Sequence, residues 1–522
     1  MLIFRRTGFL LRLCALLLFI SLALPLLSAC GDENLSLPDI SLNPNVREAD
    51  TVHLHAIIDP SSEVRGVYIA SVHNIDFPSK PDLSAAALKA ELDEILDTTA
   101  EAGLNAIFFQ VRPTADALYD SDIFPVSRTL STKGKLTFDP LSYLIEEAHQ
   151  RNIFVHAWVN PLRITAGSAA KPNTNIADLP AGSPAAAHPE WTVPYADGKL
   201  YFDAGYPEVR QLVADGVSEI VQRYNVDGIL FDDYFYPYPV SENGVTAGFD
   251  DSVSFSLYGG NMSRGDWRRQ NINQMIELVY DTVKAINEDV RFGVAPFGIW
   301  QNDDGKNGGS ATRGLESYSA IYCDPVAWAR GGYIDYIAPQ IYWQFSTDVA
   351  PYGELVHFWN RMLDGTGTEL IVSHAAYNYD EWSEPASEME KQVEFAREAL
   401  TYRGSIFYGY DEIRRNLHAI TDELSAVYAD SIVYTDPSPT GMGVQIASPA
   451  AGSYIRADTA CLIGSSSPDK PLALNGTPVS RTRGGYFSLD VHLKMGENTF
   501  IFTHGEETYT YVICRGTAPS AQ

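Results

Sequence analysis

Eight apolar runs rich in Val, Ile, Phe and Tyr recur along the chain: Val64–Ser71, Ala106–Pro113, Ile153–Pro161, Val226–Tyr236, Val290–Trp300, Ile334–Trp343, Glu369–Asn378 and Ser405–Asp411. Their hydrophobicity is nearly continuous, which marks strands buried on both faces of a parallel sheet. Between them lie stretches with a helical stripe. Leu88, Leu92, Ile95 and Leu96 share one face of Leu83–Ala102, and Leu141–Gln150, Glu208–Tyr224, Trp267–Ile286, Tyr352–Met362 and Ser387–Leu400 repeat the pattern. Eight strand-then-helix units predict an α/β fold, a closed (β/α)8 TIM barrel over residues 63–430. An open doubly wound sheet would carry a Gly-rich loop after its first strand, and residues 64–74 have none. Three connections are long, 162–206, 237–266 and 301–323. Each follows a strand and so belongs to the face on which barrel sites are built.

The flanks follow other rules. Arg5, Arg6 and Arg12 precede the apolar run Leu13–Leu27, which leads into Leu27-Ser28-Ala29-Cys30. That order reads as an export signal over residues 1–29. The run is shorter than the roughly 20 residues of a bilayer span. With cysteine at the first mature position it resembles a bacterial lipobox, implying a lipid on Cys30, so the predicted location is the outer face of the cytoplasmic membrane or another envelope membrane. Residues 30–62, rich in Asn, Asp, Ser and Pro, read as a tether, and 431–442 as a linker. Over 443–516 the runs become short and alternating, with turn pairs such as Asn475-Gly476, and predict a small β-sandwich. This segment resembles the Ig-like accessory modules of secreted carbohydrate enzymes. Cys461 and Cys514 are either bridged there or two free thiols, Cys14 leaves with the signal, and Cys323 is expected to be a lone buried thiol.

Charge and composition narrow the function. With 37 Lys+Arg against 66 Asp+Glu the net charge is −29, which argues against nucleic acid and against an anionic membrane face as partners; the membrane is met through the lipid anchor only. No CxxC or HExxH offers a zinc site, and neither a metal nor a cofactor is expected.

Chemistry concentrates at the fourth strand, Asp227-Gly228-Ile229-Leu230-Phe231-Asp232-Asp233-Tyr234. Two adjacent carboxyls ending an apolar strand are costly unless paired or used. Coupled acids titrate apart, leaving one protonated near neutral pH, the combination glycoside hydrolysis requires. Adjacent strand residues point to opposite faces, so a bend or bulge at the strand end is needed to bring both to one substrate. The pair is too close for the roughly 6.5–9.5 Å separation of inverting enzymes. Substrate-assisted hydrolysis fits better, with the sugar's 2-acetamido oxygen attacking while one Asp orients it and the other protonates the leaving group. That mechanism requires an N-acetylated sugar, which bacterial wall glycan supplies.

Seven ordered motifs resemble the glycosyl hydrolase-like 10 family of exported bacterial proteins: RGVYIASVHNIDFPS (65–79), NAIFFQVRPTADALY (105–119), FDPLSYLIEEAHQRNIFVHAWVNPLR (138–163), DGILFDDYFYPYP (227–239), DWRRQNIN (266–273), RFGVAPFGIW (291–300) and IDYIAPQIYW (334–343). The resemblance implies a (β/α)8 barrel and a glycoside hydrolase acting on cell-wall or related polysaccharide. A weaker likeness to the chitinase pattern DGxDxDxE covers Asp227, Gly228 and Asp232, but Leu230 and Tyr234 stand where that pattern has Asp and Glu.

Asp232 and Asp233 are therefore the expected catalytic pair. Gln110, Arg112, His156, Trp158, Asn160, Tyr234, Trp300, Gln340, Tyr342, Trp343, Asn378 and Asp411, at or near strand ends, are expected to bind substrate: aromatic faces stack on sugars while polar groups take hydroxyls. Tyr342 is the candidate for the acetamido oxygen and Arg112 for an acidic substituent such as a muramic lactyl group. A single His such as His156 is more often a satisfied polar contact than a ligand. The leading expectation is a monomeric, lipid-anchored retaining hydrolase of N-acetylated peptidoglycan-type glycan. The alternatives are a non-catalytic glycan-binding surface lipoprotein and a metal-dependent deacetylase, the latter disfavoured by the missing His/Asp ligand set.

Overall fold

The computed structural model describes residues 63–429 and 443–516, apart from 243, 307, 380, 383–386, 450, 453, 468–469 and 482–485. The export signal with Cys30, the tether and the linker lie outside the described residues.

Eight parallel strands close into a barrel: β1 Val64–Ile69, β2 Ala106–Arg112, β3 Phe154–Val159, β4 Gly228–Asp232, β5 Arg291–Ala295, β6 Tyr336–Ile337, β7 Glu369–Ala375 and β8 Tyr402–Tyr408. Each pairs with its sequence neighbours, and β8 pairs with β1 through Val64–Gly404 and Val67–Phe407 to complete the ring. All eight apolar runs are strands, several shorter than expected. β4 stops at Asp232 and β8 at Tyr408, because the chain there turns into loops rather than continuing the ladder.

The outer layer holds α1 Ala85–Glu101, α2 Pro140–Gln150, α3 Pro207–Arg223, α4 Arg264–Ile286, α5 Pro325–Gly331, α6 Tyr352–Leu363, α7 Glu388–Arg397 and α8 Ile420–Val427. Ser84, Asp139, Ser263 and Asp324 start four of them by accepting a backbone N–H of the first turn. The stripe foreseen for α1, Leu88, Leu92, Ile95 and Leu96, is buried against the strands.

Two separate apolar cores result. One lies between strands and helices. The other fills the barrel itself with Tyr68, Phe108, Trp158, Leu230, Tyr336, Ile371 and Ile406. These large rings fit because glycine stands beside them on neighbouring strands. A Cβ on Gly66 would lie 2.5 Å from the Phe108 ring, one on Gly228 2.3 Å from His156, and one on Gly293 2.3 Å from Tyr336.

The long connections carry structure of their own. A hairpin joins Thr192–Pro194 to Leu200–Phe202 after β3, and a second joins Ser241–Glu242 to Val245–Thr246 after β4. Residues 443–516 form a three-stranded and a five-stranded sheet, which together bury Leu462, Phe487, Phe502 and Ile513 in one cluster. Cys514 there is a free thiol, and the side chain of Cys461 lies outside the described residues. Cys323 is free and fully buried.

Candidate active site

Strand alternation dictates what faces the cleft. Residues of one parity point into the barrel, and the last of them on each strand floor its C-terminal mouth. Tyr68 of β1, Gln110 of β2, Trp158 of β3, Asp232 of β4, Ala295 of β5, Gln340 beyond β6 and Tyr408 of β8 line an open cavity of about 140 Å³ with Val72, Arg163, Tyr234 and Tyr342. Tyr342 stacks on Tyr408 with ring centres 6.3 Å apart, and exposed Tyr377 closes the same corner edge-on.

Asp232 is held from two sides. Asn160 Nδ2 donates to its Oδ2 over 2.8 Å, and the Asp233 backbone N–H donates to its Oδ1 over 2.9 Å. Asn160, fully buried, accepts from Gln110 Nε2 over 2.7 Å, and Gln110 Oε1 takes the N–H groups of Ser71 and Val72. A chain of amides thus runs from the end of β1 across β2 and β3 to the acid on β4.

Asp233 is placed differently from the expectation. Asp232 and Tyr234 face the cavity, so Asp233 between them faces away, and no bulge at the end of β4 reverses it. It is 1% exposed, accepts from the Tyr238 hydroxyl, and leaves Oδ1 without a partner. Burial pushes its pKa well above the carboxylate range, and the charge of Asp232 raises it further. A neutral acid therefore stands directly behind the cleft-facing one. Burial also raises the pKa of Tyr68, Tyr234, Tyr342 and, to about 12, Tyr408. The cleft phenols are neutral hydrogen-bonding groups.

Of the other residues foreseen, Gln110, Trp158, Tyr234, Gln340 and Tyr342 line the cavity, and Asn160 supports it from below. Six do not line it. Arg112 is turned outward because the β2–β3 register slips between Gln110 and Arg112; its guanidinium rests 3.7 Å from the Phe124 ring centre and packs against Gly216 of α3. His156 lies deep in the barrel, with Nδ1 hydrogen-bonded to Tyr336 over 2.8 Å, and burial lowers its pKa to about 3. Trp300 donates to Asp324 and packs on Phe358 in the outer core. Trp343 sits edge-on to Phe297. Asn378 donates to the Tyr342 carbonyl, at 3.4 Å, and interacts with the neighbouring Tyr377 hydroxyl. Asp411, in the short helix Tyr410–Arg414, is paired with Arg414 and Arg415 at the surface.

Tyr68, Val72, Arg163, Ala295 and Tyr408 were not foreseen. Tyr68 and Tyr408 were legible from parity, each lying two or four residues from an inward glycine or isoleucine. Arg163 was not, because its position depends on the loop after β3, where it bridges to Tyr201 of the hairpin.

A carboxyl flanked by aromatic rings and amides at the C-terminal mouth of a (β/α)8 barrel is the arrangement of a glycoside hydrolase. The chain belongs to the glycosyl hydrolase-like 10 family, whose sequence profile matches residues 63–390. It is 38% identical over 373 residues to "Glycosyl hydrolase YngK" of Bacillus subtilis strain 168, covering 70% of this chain and 71% of that protein. It is 35% identical over 380 residues to "Glycosyl hydrolase DigH" of Escherichia coli K12, covering 68% of this chain and 84% of that one. Among solved structures, the glycoside hydrolase domain of PgaB (BpsB) from Bordetella bronchiseptica superposes with a TM-score of 0.45 and 12% identity, over 70% of this chain and 99% of that domain.

Proposed function

We propose that this enzyme is a retaining glycoside hydrolase of N-acetylated cell-wall polysaccharide, using the substrate's own acetamido group as nucleophile. The observation that carries the reading is the solitary carboxyl. Among the described residues lining the cavity, Asp232 is the only carboxyl, whereas a protein nucleophile would require a second one about 5–5.5 Å away. The sugar therefore supplies the missing group. Its acetamido oxygen attacks C1 while the proton held by neutral Asp233 passes by way of Asp232 to the departing glycosidic oxygen. Water then opens the cyclic intermediate at C1 and returns a proton by the same route. Tyr342 holds the acetamido group, Trp158 and Tyr408 stack on pyranose faces, and protonated Asp233 is the proton reserve behind Asp232. Water is the sole co-reactant, so no cofactor is required.

The same proposal includes delivery. Signal cleavage before Cys30 and lipidation there place a monomeric barrel domain (63–430) outside the cytoplasmic membrane on the 30–62 tether. Residues 443–516 act as an Ig-like accessory module beyond the 431–442 linker. The test compares N-acetylated wall glycan with the same glycan after chemical de-N-acetylation, using the full chain in detergent. Reducing ends are expected only from the acetylated strands. Equal rates on both would remove the sugar from the nucleophilic step.

A further inference from the structure

Among the described residues lining the cleft, Arg163 is the one cation, and the mechanism above gives it nothing to do. Its side chain is 6% exposed yet lines the cavity. Nε donates to the Pro113 carbonyl over 2.9 Å, the guanidinium lies 4.8 Å from the Tyr234 ring centre, and Nη2 is buried without a partner. Two other arginines of this protein are neutralised, buried Arg268 by Asp251 and half-buried Arg397 by Glu63, whereas buried Arg112, with Nε and Nη1 unpartnered, packs on Phe124 and does not line this cavity. The carboxyl that shares the cavity with Arg163, Asp232, spends its hydrogen bonds on Asn160 and the Asp233 N–H. A buried guanidinium with an unused N–H is costly unless an anion completes it. In an open cavity that anion is the ligand's.

We infer that Arg163 anchors a carboxylate carried by the sugar, so the enzyme selects acidic over neutral N-acetylated glycans. This deepens the substrate reading above and rests on it. The Nε bond to Pro113 and the Tyr234 ring fix the plane of the guanidinium, leaving Nη2 as a pre-set donor. A charge-assisted bond from such a donor is shorter and about twice as strong as a neutral one. Tyr234 lies two residues beyond Asp232 on the same face, so the carboxylate is held beside the sugar whose bond Asp232 protonates.

The experiment uses the full chain in detergent and two substrates: wall glycan strands stripped of stem peptides, and the same strands with their carboxyl groups reduced to alcohols. The unmodified enzyme is expected to lose roughly 10- to 100-fold in kcat/KM on the reduced strands. Arg163→Gln should treat both substrates alike, and Arg163→Lys, which keeps the charge without the planar fork, should discriminate only weakly. Binding of the wall disaccharide and its carboxyl-reduced form is measured by calorimetry in parallel, so the two readings fail separately. Tighter binding of the acid form without turnover overturns the hydrolytic mechanism and leaves the anchor standing. Equal handling of the two forms by the unmodified enzyme, in turnover or, where nothing turns over, in binding, overturns the anchor. So does discrimination that persists in Arg163→Gln. If Arg163→Gln fails to fold, the Arg163→Lys comparison decides.

Discussion

Asn160 couples two strands to one acid: its Nδ2 donates to Asp232 Oδ2 over 2.8 Å while its Oδ1 accepts from Gln110 Nε2 over 2.7 Å. The Gln110 amide is in turn locked by two backbone N–H groups at the end of β1. The Asp232 carboxyl thus has one orientation before substrate arrives. Asn160→Ala removes the link without touching the cavity wall. Because small misplacements of a reacting group cost about 100-fold, kcat is expected to fall roughly 10- to 100-fold with KM nearly unchanged. Steady-state kinetics on a soluble N-acetylated glycan measures this. A loss confined to KM would show that Asn160 acts on binding instead.

The two adjacent aspartates are expected to separate cleanly by substitution. Asp232→Asn removes the carboxyl in the cavity and should reduce kcat by at least about 100-fold, the usual scale of general acid–base catalysis. Asp233→Asn replaces an acid that burial already keeps neutral with a neutral isostere. The barrel should stay folded and some activity should remain. The pH profile should change: with the proton reserve gone, the alkaline limb is expected at lower pH than in the unmodified enzyme. Identical alkaline limbs in the two proteins would show that Asp233 holds no proton the reaction uses.

What the chain revealed in advance, and what it hid, divides along physical lines. Strands buried on both faces announce themselves by continuous apolar runs, so all eight were legible. Strand parity was legible too, and it argued against both Asp232 and Asp233 serving one substrate. The structure obeys it. Arg112 was misplaced because Val111, the single extra residue that shifts the β2–β3 register, carries no compositional mark. Asp411 was misplaced because β8 ends at Tyr408 and Gly409 precedes a short helix. Arg163 was invisible as a site residue because a distant hairpin, not its own strand, sets its position.

Asp76, in the loop that follows β1, makes stability fall as pH rises. Its carboxyl accepts the Ala70 N–H over 2.7 Å, but burial lifts its pKa from the usual 3.8 to about 7, with Glu412 and Asp411 raising it and Arg414 opposing. The folded chain keeps this proton where the unfolded chain has lost it. Stability is therefore full below pH 4 and declines through pH 7. At about 1.4 kcal/mol per pH unit the window spans up to about 4 kcal/mol. Asp76→Asn retains an acceptor for Ala70 without a charge to bury. Urea unfolding at pH 4 and pH 8 should show the variant gaining relative to the parent only at the higher pH. Parallel losses in both proteins would assign the pH dependence elsewhere.

Gly228 tests the packing of the barrel interior. A Cβ there would stand 2.3 Å from His156 Nδ1, 2.4 Å from its Cε1 and 2.9 Å from the Arg291 carbonyl. His156 has no free path of retreat, since the same Nδ1 bonds Tyr336 and its ring lies 4.6 Å from Phe108. Gly228→Ala must therefore displace the imidazole and strand a buried polar pair. Overpacking of this kind costs about 1–3 kcal/mol and an orphaned buried group about as much again. Loss of the His156–Tyr336 bond also loosens the layer directly beneath Trp158 and Asp232, so kcat should fall along with Tm. Gly248→Ala is the control, since its added Cβ would meet nothing within 4 Å. Calorimetric melting of both variants is the measurement. A Gly228→Ala protein that melts with the parent would mean the interior layer has room the glycine–aromatic pairing does not account for.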